Sequence, residues 1–154
     1  MRFAAVLLSL CLAVGTVAAS LAQSKGVDRK GEAEEYLLPC PIDAGGNAYG
    51  TKICEGDQKQ FLREYPKAYE GDYESERNVG NCLQSGCSGA LRKNPIQACA
   101  WRMVLMTSGS PKVNDLDAAD LKIACGRLAE AERQDAAQRA AVITAEIQAG
   151  KAHR

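Results

Sequence analysis

Apolar residues recur at helical spacing through most of the chain beyond residue 56. Phe61 and Tyr65 would share one face of a helix, Val79 and Leu83 one face of the next, and a third apolar stretch surrounds Trp101. We find no run that alternates apolar and polar residues as a half-buried strand does. The pattern therefore predicts an all-α fold.

Capping and turn residues predict where these helices begin and end. Asp57 can cap the first helix, and Gly71-Asp72 closes it and opens the second. Pro95 suits the first turn of a third helix, because its missing N–H costs nothing there. Asp115 or Asp117 can cap a fourth helix.

The last part of the chain has a composition that favours a helix on propensity alone. Residues 128–148 are rich in alanine, glutamate, arginine and glutamine. We therefore predict a helical domain over residues 57–148, followed by a short tail over residues 149–154.

The N-terminal residues 1–22 have the organisation of a secretory signal peptide. Arg2 supplies a basic start, an apolar run covers residues 3–14, and small residues precede cleavage positions after Ala19 or Ala22. We therefore expect a periplasmic or secreted protein. The apolar run is too short to cross a membrane, and we predict no membrane span in the mature chain.

The residues between this leader and the helical domain differ from both. Residues 23–35 are polar and charged without apolar periodicity, and we predict a flexible segment. Residues 36–56 are rich in proline and glycine, which predicts a loop without helix or strand. Cys40 and Cys54 bracket this loop. In an oxidising compartment a disulfide between them would contribute about 3 kcal/mol by closing it.

Charge and histidine content exclude several classes of function. The chain has 19 basic and 19 acidic residues, so it lacks the basic surface of a nucleic-acid binder. The single histidine, His153, lies beside the C-terminus, which excludes histidine-based catalytic and metal sites. Cys11 falls in the leader, and the other cysteines form neither a Cys-x-x-Cys motif nor a Cys/His ligand set. We therefore predict a protein that is not an enzyme and uses no cofactor or metal.

Between residues 68 and 109 small and aromatic residues recur at a specific spacing. In order, these are AYEGDY at 68–73, Asn78-Val79-Gly80, the glycines of the turn at 86–89, Ala98, Trp101 and Gly109. The pattern resembles the Sel-one-like repeat (SLR), a tetratricopeptide-like pair of antiparallel helices, here in an exported, cysteine-containing bacterial member. One complete unit is visible, and residues 128–133 resemble the closing helix that follows such a repeat.

The resemblance implies roles for the residues of this hairpin. Val79 would lie in the core, and Gly80 and Ala98 would let the two helix axes approach. Trp101 would fill the space beside the neighbouring helices, and Gly86 would end the first helix in a left-handed conformation. The resemblance also implies a non-catalytic interaction module, an adaptor or regulator of an envelope protein. Its first helix would present the partner contacts Glu74, Arg77, Asn81 and Gln84.

The same hairpin suggests how the other cysteines pair. If Gly86 lies just past the helix end, Cys82 and Cys87 occupy positions that meet in a Schellman-type ending. Cys99 and Cys125 would then join the helix of Trp101 to the next helix. Other pairings of the six cysteines remain open at this point. Disulfides would stabilise a unit that has too few neighbouring repeats to bury a large core.

Two other functions fit parts of the sequence. The loop between Cys40 and Cys54 could insert into the active site of a target, as in a small secreted inhibitor. The carboxylates Glu70, Asp72, Glu74 and Glu76 could serve a carboxylate-based enzyme. Their spacing is also that of a solvated helix start, where acidic residues interact favourably with the helix dipole.

Overall fold

Helices dominate the computed structural model, which describes residues 27–41 and 49–152. Within these residues the helices are α1 (Arg29–Glu34), α2 (Tyr49–Tyr69), α3 (Tyr73–Ser85), α4 (Pro95–Thr107), α5 (Asp115–Gly126) and α6 (Glu130–Ala152). The predicted all-α class is confirmed. The predicted signal peptide, Cys11 and His153 lie outside the described residues.

Four of the helices enclose the main core. α3 packs between α2 and α4, and α6 packs against α4 and, more lightly, against α2. The contacts among α2, α3, α4 and α6 therefore close into a ring. α1 is attached to the outside of this ring through α2, and α5 through α4.

An aromatic cluster fills the space between α2 and α4. Trp101 is fully buried, and its ring packs edge-on against Tyr69 with 5.0 Å between the centroids. Tyr65 lies 6.3 Å from Trp101 and 5.4 Å from Phe61. Edge-on and tilted aromatic pairs of this kind add stability beyond the area that they bury. The apolar spacing of the sequence predicted these buried faces.

The hairpin of α3 and α4 has the predicted ends. Asp72 caps α3 through its side chain, and Gly86 ends α3 in the left-handed region with φ 83°. Asn94 caps α4, and Pro95 occupies its first turn. The two helices run antiparallel, and the Asn94 N–H donates to the carbonyl of Leu83 at 2.8 Å.

The segment 23–35 contains a helix where we predicted a flexible segment. α1 is only six residues long, so it cannot be stable through its own hydrogen bonds. Tertiary contacts hold it: Ala33 is fully buried. The Arg29 guanidinium lies 3.6 Å from the ring centroid of Tyr69 and 3.0 Å from the Glu146 carboxylate.

α2 begins at Tyr49, inside the interval 36–56 that we predicted to lack helix, and well before the predicted cap Asp57. The disulfide with Cys40 buries Cys54 in the second turn of this helix. The Thr51 hydroxyl also donates to the carbonyl of Pro41 at 2.6 Å. These contacts outweigh the low helix propensity of the glycines in the segment.

The later helices also differ from prediction at their ends. Asn114, rather than Asp115 or Asp117, is the N-cap of α5, and its N–H donates a hydrogen bond back to the Asp117 carboxylate. This reciprocal arrangement is a capping box. α6 continues to Ala152, past the predicted end at residue 148, and Lys151 on its last turn lines a cavity together with Glu76 of α3.

All cysteines of the described residues are paired, and the pairs are those that we expected. Cys82 and Cys87 enclose the turn after α3, in which Gly86, Cys87, Ser88 and Gly89 all have positive φ. Cys99 and Cys125 join α4 to α5. The bonds are Cys40–Cys54, Cys82–Cys87 and Cys99–Cys125, with sequence separations of 14, 5 and 26 residues.

We expect loss of the Cys99–Cys125 bond to cost more stability than loss of the Cys82–Cys87 bond. On the chain-entropy model a longer closed loop gives a larger effect, about 3.5 kcal/mol against about 2 kcal/mol here. Urea unfolding of the variants Cys99→Ala/Cys125→Ala and Cys82→Ala/Cys87→Ala, followed by the fluorescence of Trp101, measures both costs. Equal costs, or the reverse order, would contradict the expectation.

Candidate functional site

A polar groove of about 230 Å³ lies where α3, α4 and α5 meet. One face of α3 forms its floor with side chains spaced one helical turn apart, α4 contributes an arginine and α5 an aspartate. The lining residues are Glu74, Arg77, Asn78, Asn81, Arg102 and Asp120.

Three of the four predicted partner contacts line this groove. Glu74 is exposed there, with the Lys112 ammonium 3.7 Å from its carboxylate, and Arg77 and Asn81 lie along the same face. Gln84 does not reach the groove. It lines a separate hollow together with Pro95 and residues of the α5–α6 connection.

Sequence reasoning missed Asn78, Arg102 and Asp120. Asn78 belongs to the repeat-like pattern, and its position one turn from Asn81 could have indicated that it lines the same helix face. Arg102 follows Trp101 on a helix whose other residues are mostly apolar, and Asp120 lies on a different helix further along the chain. Only the packing of α4 between α3 and α5 brings these two side chains together.

Arg102 is the most deeply buried charge of the groove, with 3% of its side chain exposed. Its side chain runs over Gly80, where an added Cβ atom would lie 3.3 Å from Arg102 Nε. Arg102 Nη2 lies 3.3 Å from a carboxylate oxygen of Asp120. Among the described residues, the Nε and Nη1 atoms have no hydrogen-bond partner. Burial lowers the pKa of Arg102, Asp120 opposes that change, and the nearby Arg77 reinforces it.

A buried carboxylate fixes α5 against α3 beneath the groove. Asp117 is fully buried, and it accepts hydrogen bonds from the Tyr73 hydroxyl at 2.9 Å and from the Asn114 N–H at 3.1 Å. Arg77 Nε lies 3.0 Å from its other oxygen. Because a buried charge is tolerated only when it is paired and hydrogen-bonded, this cluster also sets the position of Arg77 in the groove.

A second polar feature is a small cavity of about 50 Å³ beside Glu76. Glu76 is 1% exposed, and its Oε2 atom has no hydrogen-bond partner among the described residues. Burial raises the pKa of Glu76 to about 7, and the nearby Lys151 opposes this rise. The side chain therefore changes charge near neutral pH.

The acidic residues at the start of α3 lie in separate environments and do not converge on one cleft. Asp72 caps the helix, and its hydrogen bonds to Ser75 hold the pKa of its carboxyl below the usual range. Glu74 lines the groove, whereas Glu76 lines the cavity.

The loop between Cys40 and Cys54 is described only at its flanks, because its tip at residues 42–48 lies outside the described residues. Where it is described, it lies against α2. The Thr51 hydroxyl of α2 donates to the carbonyl of Pro41 at 2.6 Å, and Cys54 is buried.

Comparison with known proteins gives no relative. No family model, no curated protein and no solved structure matches the chain. In residues 27–41 and 49–152, no helix is both long enough and apolar enough to span a membrane.

We expect the stability of the protein to fall as the pH rises from about 5 to about 8. The pKa of Glu76 is raised from 4.5 in the unfolded chain to about 7 in the folded protein. Protonation of Glu76 therefore stabilises the folded protein, and this stabilisation is lost as the pH rises through the pKa that Glu76 has in the folded protein. The loss reaches about 3 kcal/mol.

The variant Glu76→Gln keeps the shape of the side chain and cannot ionise, so its stability should vary much less over this pH range. Urea unfolding at several pH values measures the effect, with Glu74→Gln as the exposed control on the same helix. If Glu76→Gln kept the full pH dependence of the wild type, the burial of this carboxyl would not be its cause.

Asp117 and Asp115 offer a matched test of the cluster beneath the groove. Asp117→Ala should lower the free energy of unfolding by about 3 kcal/mol, because it leaves the buried Tyr73 hydroxyl without its acceptor and removes the capping box. Asp115→Ala, at an exposed position of the same helix turn, should cost less than about 1 kcal/mol. Chemical unfolding of both variants checks the difference, and similar costs would count against the role of Asp117.

Proposed function

We propose that this protein is a non-catalytic, exported interaction module of the SLR type, which acts in the periplasm or outside the cell as an adaptor or regulator of an envelope protein. The observation that carries the proposal is the polar groove on α3. Three residues that the repeat resemblance assigns to partner contact, Glu74, Arg77 and Asn81, lie together in it.

The α3–α4 hairpin supports the repeat interpretation. α3 and α4 are antiparallel, and Gly80 and Ala98 are small and buried on the two helices. Trp101 of the second helix packs against Tyr69 of the preceding helix. In a tetratricopeptide-like hairpin, small residues permit the close approach of two helices, and a large aromatic residue fills the space beside the next one.

The three disulfides support the proposed location. Disulfides form and persist in oxidising compartments such as the bacterial periplasm, and they are rare in the cytosol. They also compensate for the small core of a short chain.

The charges of the groove suit recognition of a partner. Glu74 is close to Lys112, and Asp120 pairs with Arg102. Groups arranged in opposite-sign pairs give an interface specificity for partners of complementary charge. Asn78 and Asn81 add amide groups that can donate and accept hydrogen bonds.

The test is affinity capture from an envelope extract of the organism that encodes the protein, with three forms of the mature, disulfide-bonded chain as bait. These are the wild type, Asn81→Glu in the groove and Gln138→Glu on the exposed surface of α6. We expect the wild type and Gln138→Glu to retain a common protein. Asn81→Glu should retain at least about tenfold less of it, because a new charge buried in an interface lowers the affinity by about this factor or more.

Two outcomes would contradict the proposal. One is that no protein is retained by the wild type above the level of an unrelated bait. The other is that all three baits retain the same proteins in equal amounts, because the groove would then not be the contact surface.

A further inference from the structure

The guanidinium of Arg102 has more hydrogen-bonding capacity than its surroundings use. Its Nη2 atom is near Asp120, but Nε and Nη1 are buried without a hydrogen-bond partner among the described residues. A charged group that is 3% exposed normally has its donors satisfied, because desolvation costs several kcal/mol otherwise.

The ion pair between Arg102 and Asp120 joins a buried guanidinium to a carboxylate that reaches solvent. The two atoms are 3.3 Å apart, and 39% of the Asp120 side chain is exposed. Because the guanidinium of Arg102 is buried, it needs an acidic partner, but that partner need not be Asp120. Another carboxylate could therefore take the place of Asp120 on the guanidinium while Asp120 turns into solvent.

The charge balance of the groove favours a singly charged ligand. Arg77 is engaged with the buried Asp117, and Glu74 with Lys112. Arg102 is then the one cation of the described groove whose acidic partner is both exposed and exchangeable. A guanidinium matches a carboxylate through two parallel hydrogen bonds. A doubly charged phosphate would be repelled by Glu74 and Asp120.

The remaining lining residues are suited to main-chain groups of a peptide. Asn78 and Asn81 lie one turn apart on α3 beside Arg102, and a carboxamide can both donate to a carbonyl and accept from an N–H. The groove runs along α3, so a bound segment would follow this helix.

We propose that the groove binds a carboxylate of a partner polypeptide, either an acidic side chain or the chain terminus, on the guanidinium of Arg102, and that Asp120 occupies this position when the partner is absent. This inference rests on the proposed function and names the chemistry that the groove recognises.

The test is NMR titration of the full mature chain, with the Nε–Hε resonance of Arg102 as the reporter. The probes are four short alanine peptides with an acetylated N-terminus. The first has an internal glutamate and an amidated C-terminus, and the second has a free C-terminal carboxylate and no glutamate. The third has both the glutamate and the free carboxylate, and the fourth has an amidated C-terminus and no glutamate. Inorganic phosphate is a fifth probe. We expect a saturable shift with the carboxylate-bearing peptides, with a dissociation constant on the order of 1 mM, and none with the neutral peptide.

Three variants separate binding from any effect on folding. Asp120→Asn removes the internal competitor and should tighten binding about threefold, whereas Asp135→Asn, exposed on α6, should leave it unchanged. Arg102→Met replaces the charge with an apolar side chain of similar length and should abolish binding, with retention of the fold checked by circular dichroism.

The pattern of responses identifies the source of the carboxylate. A response to the internal glutamate alone supports an acidic side chain, a response to the free terminus alone supports a C-terminus, and a response to both supports the shared chemistry.

The proposal fails if no peptide shifts the Arg102 resonance, if phosphate shifts it as strongly as the peptides do, or if Asp120→Asn leaves binding unchanged. If Asn81→Glu still loses a captured partner while Arg102 responds to no carboxylate, the interaction function stands and the carboxylate proposal alone is wrong.

Discussion

α3 and α4 can pack closely at Gly80 because that residue has no side chain, and much of the molecule depends on this contact. Trp101 and Arg102 are consecutive on α4, and both lie against Gly80. The Trp101 side chain packs in the aromatic cluster with Tyr69, and the Arg102 side chain lines the polar groove. Any side chain at Gly80 would place a Cβ atom 3.3 Å from Arg102 Nε, so Arg102 would have to move within the groove.

The other elements of the structure keep α4 in this position. α6 covers one side of it, and the Cys99–Cys125 bond ties it to α5. Through Asp117, α5 is in turn fixed to Tyr73 and Arg77 of α3. The groove is therefore lined by three helices that are linked to one another by a disulfide and a buried charge cluster. A binding surface held in this way loses little conformational entropy when a partner binds.

The sequence allowed much of the hairpin to be predicted, because its signals are local. Asp72, Gly86 and Pro95 act through the backbone groups next to them, so their roles do not depend on distant contacts. The helix at Arg29–Glu34 and the early start of α2 could not be predicted in this way. Their stability comes from Tyr69, Glu146 and the Cys40–Cys54 bond, which are remote in sequence or join separate segments.

By itself, the sequence determined the all-α class and the apolar faces of the helices, since helical periodicity and capping are local properties. The repeat resemblance drew attention to three residues that line the groove. The sequence also contained enough information to propose the three disulfides. Only the tertiary structure decided that Gln84 lies apart from the groove, that Glu76 is buried beside Lys151, and that Arg102 and Asp120 join Asn81. These facts depend on how α4, α5 and α6 pack against α3, and burial and charge pairing between helices leave no periodic signal along the chain.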